Sequence, residues 1–545
     1  MAAPLLYSHT RDLESPKFIL TFAAGLNENQ TPDVNEASEG YNFELGARQT
    51  KFIPRTPYDL EGTVPNGSKV TSIMQLIKRA GTKTTLVGAG TSIYSWTGAN
   101  NFTLQGSVLA DALLRDTYWS LGDFLVITDV NKNNVVKKWD GTTFSNLTTG
   151  LANPFYAKYA IVHLNRVWYF NITCGTDTPH MILASTFENP EALNLTNRGG
   201  PTDVGGGTFS TGLEPFFLLS PDLKPINGVA VFQRDLVIST VEGRLFKLTG
   251  TDSKTFQFIE FYVGSAAIGN ESIANIGNDV IYMRKGGNIT LLTSTQNYGD
   301  VKSNEVSRWI PDTVMDLPGA IIIYDQSHQK VFFFIANKVL VLFKDILFGG
   351  QTDSAVNAGL SPWSVYTTLN PNNFNTSAAK YMQHPDVAAD YAVYWGDANG
   401  NIYDMHGVGL NGDGGLYPVD CKRKSRIIDV SVINPFPWSE TLLYGKVQFR
   451  RKAADSQLSI SFDWSDEFNK STSTVTLKGP ASGTAITAWN RASYWGGGGY
   501  WNQGNQLANV ISHQTFSPTG RGAGFYLTLQ NQSSSQFQVD HVELY

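Results

Sequence analysis

The sequence is poor in cysteine, and its metal-binding side chains are scattered. Only two of its 545 residues are cysteines, Cys174 and Cys421, and neither lies in a CxxC or CxxH motif. A disulfide framework and a structural zinc site are both disfavoured, and synthesis in a reducing compartment is the simpler interpretation. The eight histidines contain no HxxxH pair, so we expect no metal centre and no cofactor.

Charge and long apolar runs are also scarce. Charged residues make up 16% of the chain, below the roughly 25% of ordinary globular proteins. Because the net charge is −6 and no run of lysine or arginine is long, binding to nucleic acid through phosphate neutralisation is disfavoured. No apolar run is long enough to cross a membrane, and the first residues lack a basic segment. Neither a membrane span nor a signal peptide is predicted.

Residues that form strands and turns are abundant instead. The chain contains 51 glycines, 31 phenylalanines, 23 tyrosines and 12 tryptophans, and 41% of its residues are hydrophobic. A chain of this length and composition can bury a large core, and the predicted class is all-β.

One pattern recurs along the chain. Two short strands flank a turn, the second strand ends in an aromatic residue or leucine, and a phenylalanine follows a Thr-Gly or Asp-Gly pair. Copies occupy residues 86–102, 124–144 and 236–256. Trp96 and Trp139 lie 43 positions apart, within the roughly 40–50 residues that four short strands need. Because one small sheet cannot bury both faces alone, this repetition predicts a β-propeller of about seven blades over residues 66–418.

The two ends of the chain follow other patterns. Residues 1–65 contain short apolar segments at 18–22 and 40–45 joined by a polar stretch, and we interpret them as an extended arm that completes or braces the propeller. Residues 419–545 contain longer strands that alternate apolar and polar residues, as at 458–464 and 537–544. This alternation predicts a C-terminal β-sandwich.

Three motifs resemble those of one protein family. They are Gly25-Leu26-Asn27 with Glu36-Ala37, residues 41–43 and Arg48; residues 184–191; and the Gly-Arg-Gly strand start within residues 517–526. Together they resemble the tail nozzle family of short-tailed bacteriophages, also called tail tubular protein B or stabilisation protein. The second motif departs from the family pattern, because Leu193 stands near the position of an aromatic residue.

This resemblance implies a structural virion protein without enzymatic activity. Members of the family form a ring, expected here to be hexameric, below the portal and the adaptor. The ring continues the DNA exit channel, gates genome release and anchors tail fibres or a plug. The implied location is the virion tail, after synthesis and assembly in the bacterial cytoplasm. Duplex DNA would pass without sequence-specific binding, so we expect channel-facing loops to be neutral or acidic.

A glycan-binding or glycan-cleaving propeller is the alternative. Cleavage needs two carboxylates about 5–10 Å apart, and the candidate pairs are Asp397 with Asp404 and Asp463 with Asp466. For each pair, a residue at a strand end or hairpin turn is the competing interpretation.

The segment that begins at Asp397 also resembles the start of a calcium loop. Asp397, Asn399 and Asn401 alternate as oxygen ligands would, but Val408 occupies the position of the distal glutamate.

Two further segments are candidates for partner binding. Trp495, Tyr500 and Trp501 flank a tetraglycine, an arrangement that could stack on a sugar or fit a groove on another protein. A basic segment, together with residues 450–452, could face an acidic neighbouring subunit; its side chains are Lys422, Arg423, Lys424 and Arg426. A loop folded back on its own domain and a solvated charged face are the respective alternatives.

Overall fold

The computed structural model describes two compact units. One contains Met1–Arg55, Phe348–Ser364 and Pro418–Tyr545, and the other contains Thr56–Leu347 and Val365–Tyr417. The described residues are 18–20, 24–29, 36–46, 49–110, 112–204, 206–263, 266–294, 301–315, 317–349, 360–370, 374–387, 390–407, 413, 419–429, 445–451, 457–465, 471–478, 511–516, 524–531 and 537–544.

The larger unit is built from antiparallel sheets of four strands. The described residues form seven such sheets, and in the sixth the last strand begins with Trp363 and Ser364, which belong to the smaller unit. Sheet 1 consists of Val70–Ile77, Lys83–Ala89, Ser92–Trp96 and Phe102–Ser107. Sheet 2 consists of Leu114–Trp119, Phe124–Asp129, Lys137–Trp139 and Phe144–Asn146. Sheet 3 consists of Phe155–His163, Arg166–Cys174, Thr176–Ala184 and Phe216–Leu219.

The remaining four sheets follow the same pattern. Sheet 4 consists of Ile226–Phe232, Asp235–Thr240, Arg244–Thr249 and Gln257–Val263. Sheet 5 consists of Ile273–Asn275, Val280–Met283, Ile289–Ser294 and Val301–Glu305. Sheet 6 consists of Ile321–Asp325, Lys330–Ile335, Lys338–Phe343 and Trp363–Tyr366. Sheet 7 consists of Thr376–Gln383, Tyr391–Asp397, Asn401–Asp404 and Asp59–Thr63.

Consecutive sheets pack face to face and the series closes into a circle. The first strand of each sheet contacts the first strand of the next, and the first strand of sheet 7 contacts that of sheet 1. Trp139 of sheet 2 packs with Leu76 and Leu86 of sheet 1, while Trp96 of sheet 1 packs with Tyr394 of sheet 7. Each fully buried aromatic side chain contributes roughly 2–3 kcal/mol. The predicted all-β class and the β-propeller architecture are confirmed.

The circle is closed by a strand from the start of the chain. Asp59–Thr63 pairs with Asn401–Asp404, with Thr63 opposite Asn401 and Asp59 opposite Asp404. Three strands of sheet 7 therefore come from the C-terminal part of the unit's sequence, and the fourth comes from its N-terminal part. The larger unit begins at Thr56, so Asp59–Thr63 belongs to it, while the described strands before Thr56 belong to the smaller unit.

The smaller unit contains the other described strands, in two sheets. A six-stranded sheet contains Phe43–Gly46, Gln49–Pro54, Phe537–Leu544, Gly445–Arg451 and Ile511–Phe516, with Phe18–Leu20 also paired to Phe537–Leu544. A five-stranded sheet contains Ala37–Tyr41, Cys421–Asp429, Gly524–Asn531, Gln457–Ser465 and Ser471–Lys478. The arm thus contributes strands to both sheets.

Helices are few and short in the described part of the chain. Two are 3₁₀-helices and two are α-helices: Thr202–Val204, Asn270–Ser272, Pro311–Val314 and Lys344–Gly349.

A buried arginine holds the long connection within sheet 3. Arg166 is 1% exposed, and its guanidinium donates to the carbonyl oxygens of Ser185 at 2.6 Å, Gly212 at 2.8 Å and Glu214 at 3.0 Å. Burial lowers the pKa of Arg166 to about 10, so the side chain stays charged at neutral pH. One side chain thereby satisfies three backbone acceptors on the segment between Thr176–Ala184 and Phe216–Leu219.

The buried His163 is expected to make the stability of the propeller depend on pH. Its side chain is 8% exposed at the end of Phe155–His163, and burial lowers its pKa. A depressed histidine pKa contributes stability above the ordinary value near 6.5, and this stability is lost as the pH falls through the folded value. We expect His163→Gln to lose less stability than the wild type between about pH 7.5 and about pH 5. Thermal unfolding at the two pH values measures this difference, and parallel losses in both proteins would contradict it.

Candidate functional site

Three side chains that commonly bind metals meet at the seam between sheets 6 and 7. Asp325 ends the first strand of sheet 6, and His328 lies in the turn that follows. His406 comes two residues after Asn401–Asp404 of sheet 7. Their donor atoms all lie within 4.8 Å of one another, and among the described residues this is the one group of three His, Cys, Asp or Glu side chains that converge in this way.

Both imidazoles point at the same carboxylate oxygen. Asp325 Oδ2 lies 2.8 Å from His328 Nδ1 and 2.5 Å from His406 Nε2, and the two ring centroids are 4.0 Å apart. The Asp325 side chain is fully buried, while those of His406 and His328 are 14% and 46% exposed. The cluster is therefore anchored on a buried carboxylate and opens to solvent beside His328.

Local hydrogen bonds fix the backbone on both sides of the cluster. The His328 amide donates to Asp325 Oδ1 at 3.1 Å, which closes the turn within sheet 6. The His406 amide donates to Asp404 Oδ1 at 2.8 Å. The two histidines are thus held by separate turns, and their meeting does not depend on one flexible loop.

The electrostatics of the cluster favour an ionised carboxylate. Burial opposes ionisation of Asp325, but hydrogen bonds and charge interactions with His328 and His406 outweigh it and hold its pKa well below the usual range. Burial lowers the pKa of His406, against its hydrogen bond to Asp325. Two imidazoles and a carboxylate are a set of ligands that divalent transition metals prefer.

Local spacing could not have predicted this cluster. Asp325 and His406 are 81 residues apart in the chain and meet only because sheets 6 and 7 are neighbours. The expectation of no metal centre was based on nearby histidine pairs, and such a criterion does not detect ligands from two sheets. The short separation of Asp325 and His328 was the only local signal.

A cleft lies beside the cluster. Its volume is about 570 Å³, and its lining includes Gln326 and Gln329 from the same turn as His328. Lys344 also lines it, and its ammonium donates to Ile276 O at 2.8 Å and contacts the hydroxyl of Tyr324 at 3.2 Å. Ile322, Ile323 and Tyr381 line it as well, so the cleft is lined by both polar and apolar side chains, and the Lys344 ammonium already has partners.

Ion pairs cross the axis of the propeller. Arg115, in the first strand of sheet 2, pairs with Glu271 beside the first strand of sheet 5 at 2.6 Å. Asp116 pairs with Lys380, in the first strand of sheet 7, at 2.5 Å. Because these side chains join sheets that are not neighbours, the axis is occupied by protein and cannot admit duplex DNA.

Asp397, one of the carboxylates considered for glycan cleavage, holds a hairpin turn through its hydrogen bonds. Asp397 is 1% exposed; its Oδ1 accepts the amides of Asn399 and Asn401 at 2.8 Å each, and its Oδ2 accepts Asn401 Nδ2 at 2.9 Å. This agrees with the turn interpretation. The Tyr403 hydroxyl also donates to Oδ2 at 3.3 Å, so a calcium ion would compete with four donor groups. Val408 lies outside the described residues. Burial raises the pKa of Asp404 to about 6. Asp463 lies in a strand opposite Thr472 and Tyr526, and Asp466 lies outside the described residues.

The basic segment is not a free cationic surface where its side chains are described. Arg423 is 4% exposed, donates to Ala24 O at 2.7 Å and lies over the Phe43 ring. Lys422 and Lys424 both pair with Glu39. The strand alternates its faces, so consecutive basic residues have different surroundings. The side chain of Arg426 is not described, and Trp495, Tyr500 and Trp501 lie outside the described residues.

The N-terminal signature forms one buried network in the smaller unit. The amides of Gly25 and Leu26 donate to Ser361 O and Trp363 O at 2.7 and 2.8 Å. Asn27 Nδ2 donates to Glu36 Oε2 at 2.5 Å, and Glu36 Oε1 accepts the Ser361 amide at 2.7 Å. Ala37 and Phe43 are fully buried. The residues of the N-terminal signature, which are spread over the sequence, are therefore held together in the fold by hydrogen bonds and packing.

Gly25 is required by close approach within this network. A Cβ at this position would lie 2.0 Å from Trp363 O, so we expect Gly25→Ala to destabilise the smaller unit by about 1–3 kcal/mol. Gly269→Ala is the matched control, because a Cβ at Gly269 meets nothing within 4 Å. Calorimetry of both variants measures the effect, and equal melting temperatures would contradict the proposed crowding.

Comparisons with known proteins add a fold likeness. No protein-family model matches the chain, and no curated protein matches it. Among solved structures, a catalytically inactive virginiamycin B lyase from Staphylococcus aureus is 11% identical, with a TM-score of 0.39, over 64% of this chain and 98% of that one. BBS1N in complex with ARL6DN is 9% identical, with a TM-score of 0.40, over 64% and 96%. The Myceliophteria thermophila Cps50 (Swd1) β-propeller domain is 11% identical, with a TM-score of 0.39, over 64% and 99%.

In the part of the chain that the structure describes, not one helix combines the length and the apolar character needed to cross a bilayer.

Proposed function

We propose that this chain is a non-enzymatic structural protein of a short-tailed bacteriophage tail, a nozzle subunit with a seven-bladed propeller and a β-sandwich. The observation that carries the proposal is the buried network at Gly25, Asn27 and Glu36. Within the first of the three resembling motifs, Gly25, Leu26, Asn27 and Glu36 are residues that the fold uses to hold the arm. Their buried, hydrogen-bonded positions support the resemblance.

The bridged propeller axis supports the same role. Since the Arg115–Glu271 and Asp116–Lys380 pairs fill the axis, DNA cannot pass through a single chain. The lumen would instead be enclosed by a closed ring of copies, joined by heterologous contacts in which different patches meet. In this proposal the ring is hexameric, follows the adaptor and the portal, and holds fibres or a plug.

The composition is compatible with extensive interfaces. Charged residues are few, at 16%, and large apolar side chains such as Leu104, Leu109 and Met315 are more than half exposed. Permanent interfaces are depleted in charge and enriched in apolar contacts relative to ordinary surface.

Electron microscopy of the assembled protein tests the proposal. We expect single particles of the chain, prepared with its adaptor and portal, to show a ring with rotational symmetry around a channel wide enough for duplex DNA. The Gly25→Ala variant should give fewer rings than the Gly269→Ala control. Monomers that persist in the presence of the adaptor and portal rings would overturn the nozzle assignment.

A further inference from the structure

We propose that Asp325, His328 and His406 bind one divalent transition metal ion of the zinc class, which joins sheets 6 and 7 of the propeller. This site is independent of the proposed tail function, because it concerns the propeller alone. Its ligands would be a carboxylate oxygen of Asp325, Nδ1 of His328 and Nε2 of His406, which converge within 4.8 Å.

The geometry is close to what such an ion requires. Bonds from zinc to nitrogen and oxygen are about 2.0–2.2 Å long, so tetrahedral ligand atoms lie roughly 3.2–3.6 Å apart. Asp325 Oδ2 lies 2.8 Å from His328 Nδ1 and 2.5 Å from His406 Nε2. An outward movement of each side chain by less than about 1 Å would admit the ion. The two hydrogen bonds to the carboxylate would be replaced by three bonds to the metal.

The surroundings of the three ligands fix the Asp325 carboxylate and leave room for a water molecule. Asp325 is fully buried and its second oxygen already accepts the His328 amide, an outer contact that fixes the carboxylate and the turn together. His328 is 46% exposed, so a water molecule can reach a fourth position on that side. Three protein ligands with a water in the fourth position is an established coordination pattern of zinc in proteins.

The chemistry of the ligands sets the class of metal. Imidazole nitrogens favour zinc, cobalt, nickel and copper, whereas magnesium and calcium prefer sites made entirely of oxygen. Two nitrogens out of three ligands therefore predict binding of Zn²⁺ and Co²⁺ in preference to Mg²⁺. The ion would connect a turn in sheet 6 to the segment that follows the third strand of sheet 7, close to the strand that closes the circle.

Titration of the metal-free full-length chain tests the site. We expect calorimetry with Zn²⁺ to give one bound ion per chain, and Co²⁺ to give the visible absorption of a low-coordinate nitrogen and oxygen site. An excess of Mg²⁺ should not displace either ion. Zn²⁺ should also raise the melting temperature, and a chelator should reverse the rise.

Two variants separate a specific site from adventitious binding. His328→Ala removes a half-exposed ligand from a surface turn and should weaken Zn²⁺ binding by about tenfold or more. His180→Ala, which changes a histidine outside the cluster, should bind like the wild type. Circular dichroism checks that both variants are folded. Wild-type protein that does not bind Zn²⁺, or equal affinity in wild type and His328→Ala, would overturn the proposal.

Discussion

Replacing Arg166 by methionine is expected to lower the free energy of unfolding of the propeller by about 3–5 kcal/mol. The substitution keeps an unbranched apolar stem but removes every donor. The carbonyl oxygens of Ser185, Gly212 and Glu214 would each lose a hydrogen bond from the guanidinium. The Ser253 hydroxyl would still donate to the carbonyl oxygens of Gly212 and Glu214, at 2.8 and 3.0 Å. Hydrogen bonds to a charged group contribute roughly 1.5–3 kcal/mol each, and the bonds from Ser253 keep the expected loss below the sum of three.

Denaturant unfolding followed by tryptophan fluorescence measures this loss. Arg166→Lys is the matched control: it retains the positive charge but not the planar fork that reaches Ser185 and Gly212 together. We expect the free energy of unfolding of Arg166→Lys to lie between those of the wild type and Arg166→Met. A methionine variant as stable as the wild type would show that the hydrogen bonds of the Arg166 guanidinium contribute nothing to the stability of the propeller.

A disulfide across the closing strand is expected to stabilise the propeller by about 2–5 kcal/mol. Thr63 and Asn401 face each other in register, and their side chains are joined by a 2.9 Å hydrogen bond. Facing residues on antiparallel strands have Cα atoms about 4.5–5.5 Å apart, within the range that a disulfide spans. Because the two positions are 338 residues apart, the bond would remove a very large loop from the unfolded chain.

The experiment compares oxidised and reduced Thr63→Cys/Asn401→Cys protein, in a background where Cys174 is changed to serine. The control pair is Leu60→Cys/Asn401→Cys, because Leu60 faces Tyr403 and lies diagonally from Asn401. We expect the control to form little disulfide. An oxidised Thr63→Cys/Asn401→Cys protein that melts at the same temperature as its reduced form would mean that separation of this strand does not limit unfolding.

The repeating part of the fold could be predicted because its signals are local. A strand, a turn and a second strand that ends in a large aromatic residue are encoded within about 20 residues, and a sheet that cannot bury both faces alone requires copies. Trp96 and Trp139, whose spacing indicates the repeat, are both buried between neighbouring sheets. Asp397 was likewise explained by its immediate neighbours, since its acceptors are used by the turn it begins.

What could not be predicted depends on partners distant in sequence. Asp59–Thr63 is an ordinary short strand, and nothing local shows that it pairs with Asn401–Asp404. The metal cluster has the same origin, because His406 and Asp325 come from different sheets. The basic segment was misleading for another reason: charges adjacent in sequence alternate between two faces of a strand, and one of them, Arg423, is buried.

Closure by the first strand also has a consequence for synthesis on the ribosome. Asp59–Thr63 emerges early, while its partner Asn401 emerges 338 residues later. At about 5–20 residues per second, the interval is on the order of 20–70 seconds. During this time the nascent sheets can stack one by one, but the growing propeller keeps two open edges that could pair with another chain. Whatever protects those edges until the last sheet arrives determines the yield of folded protein.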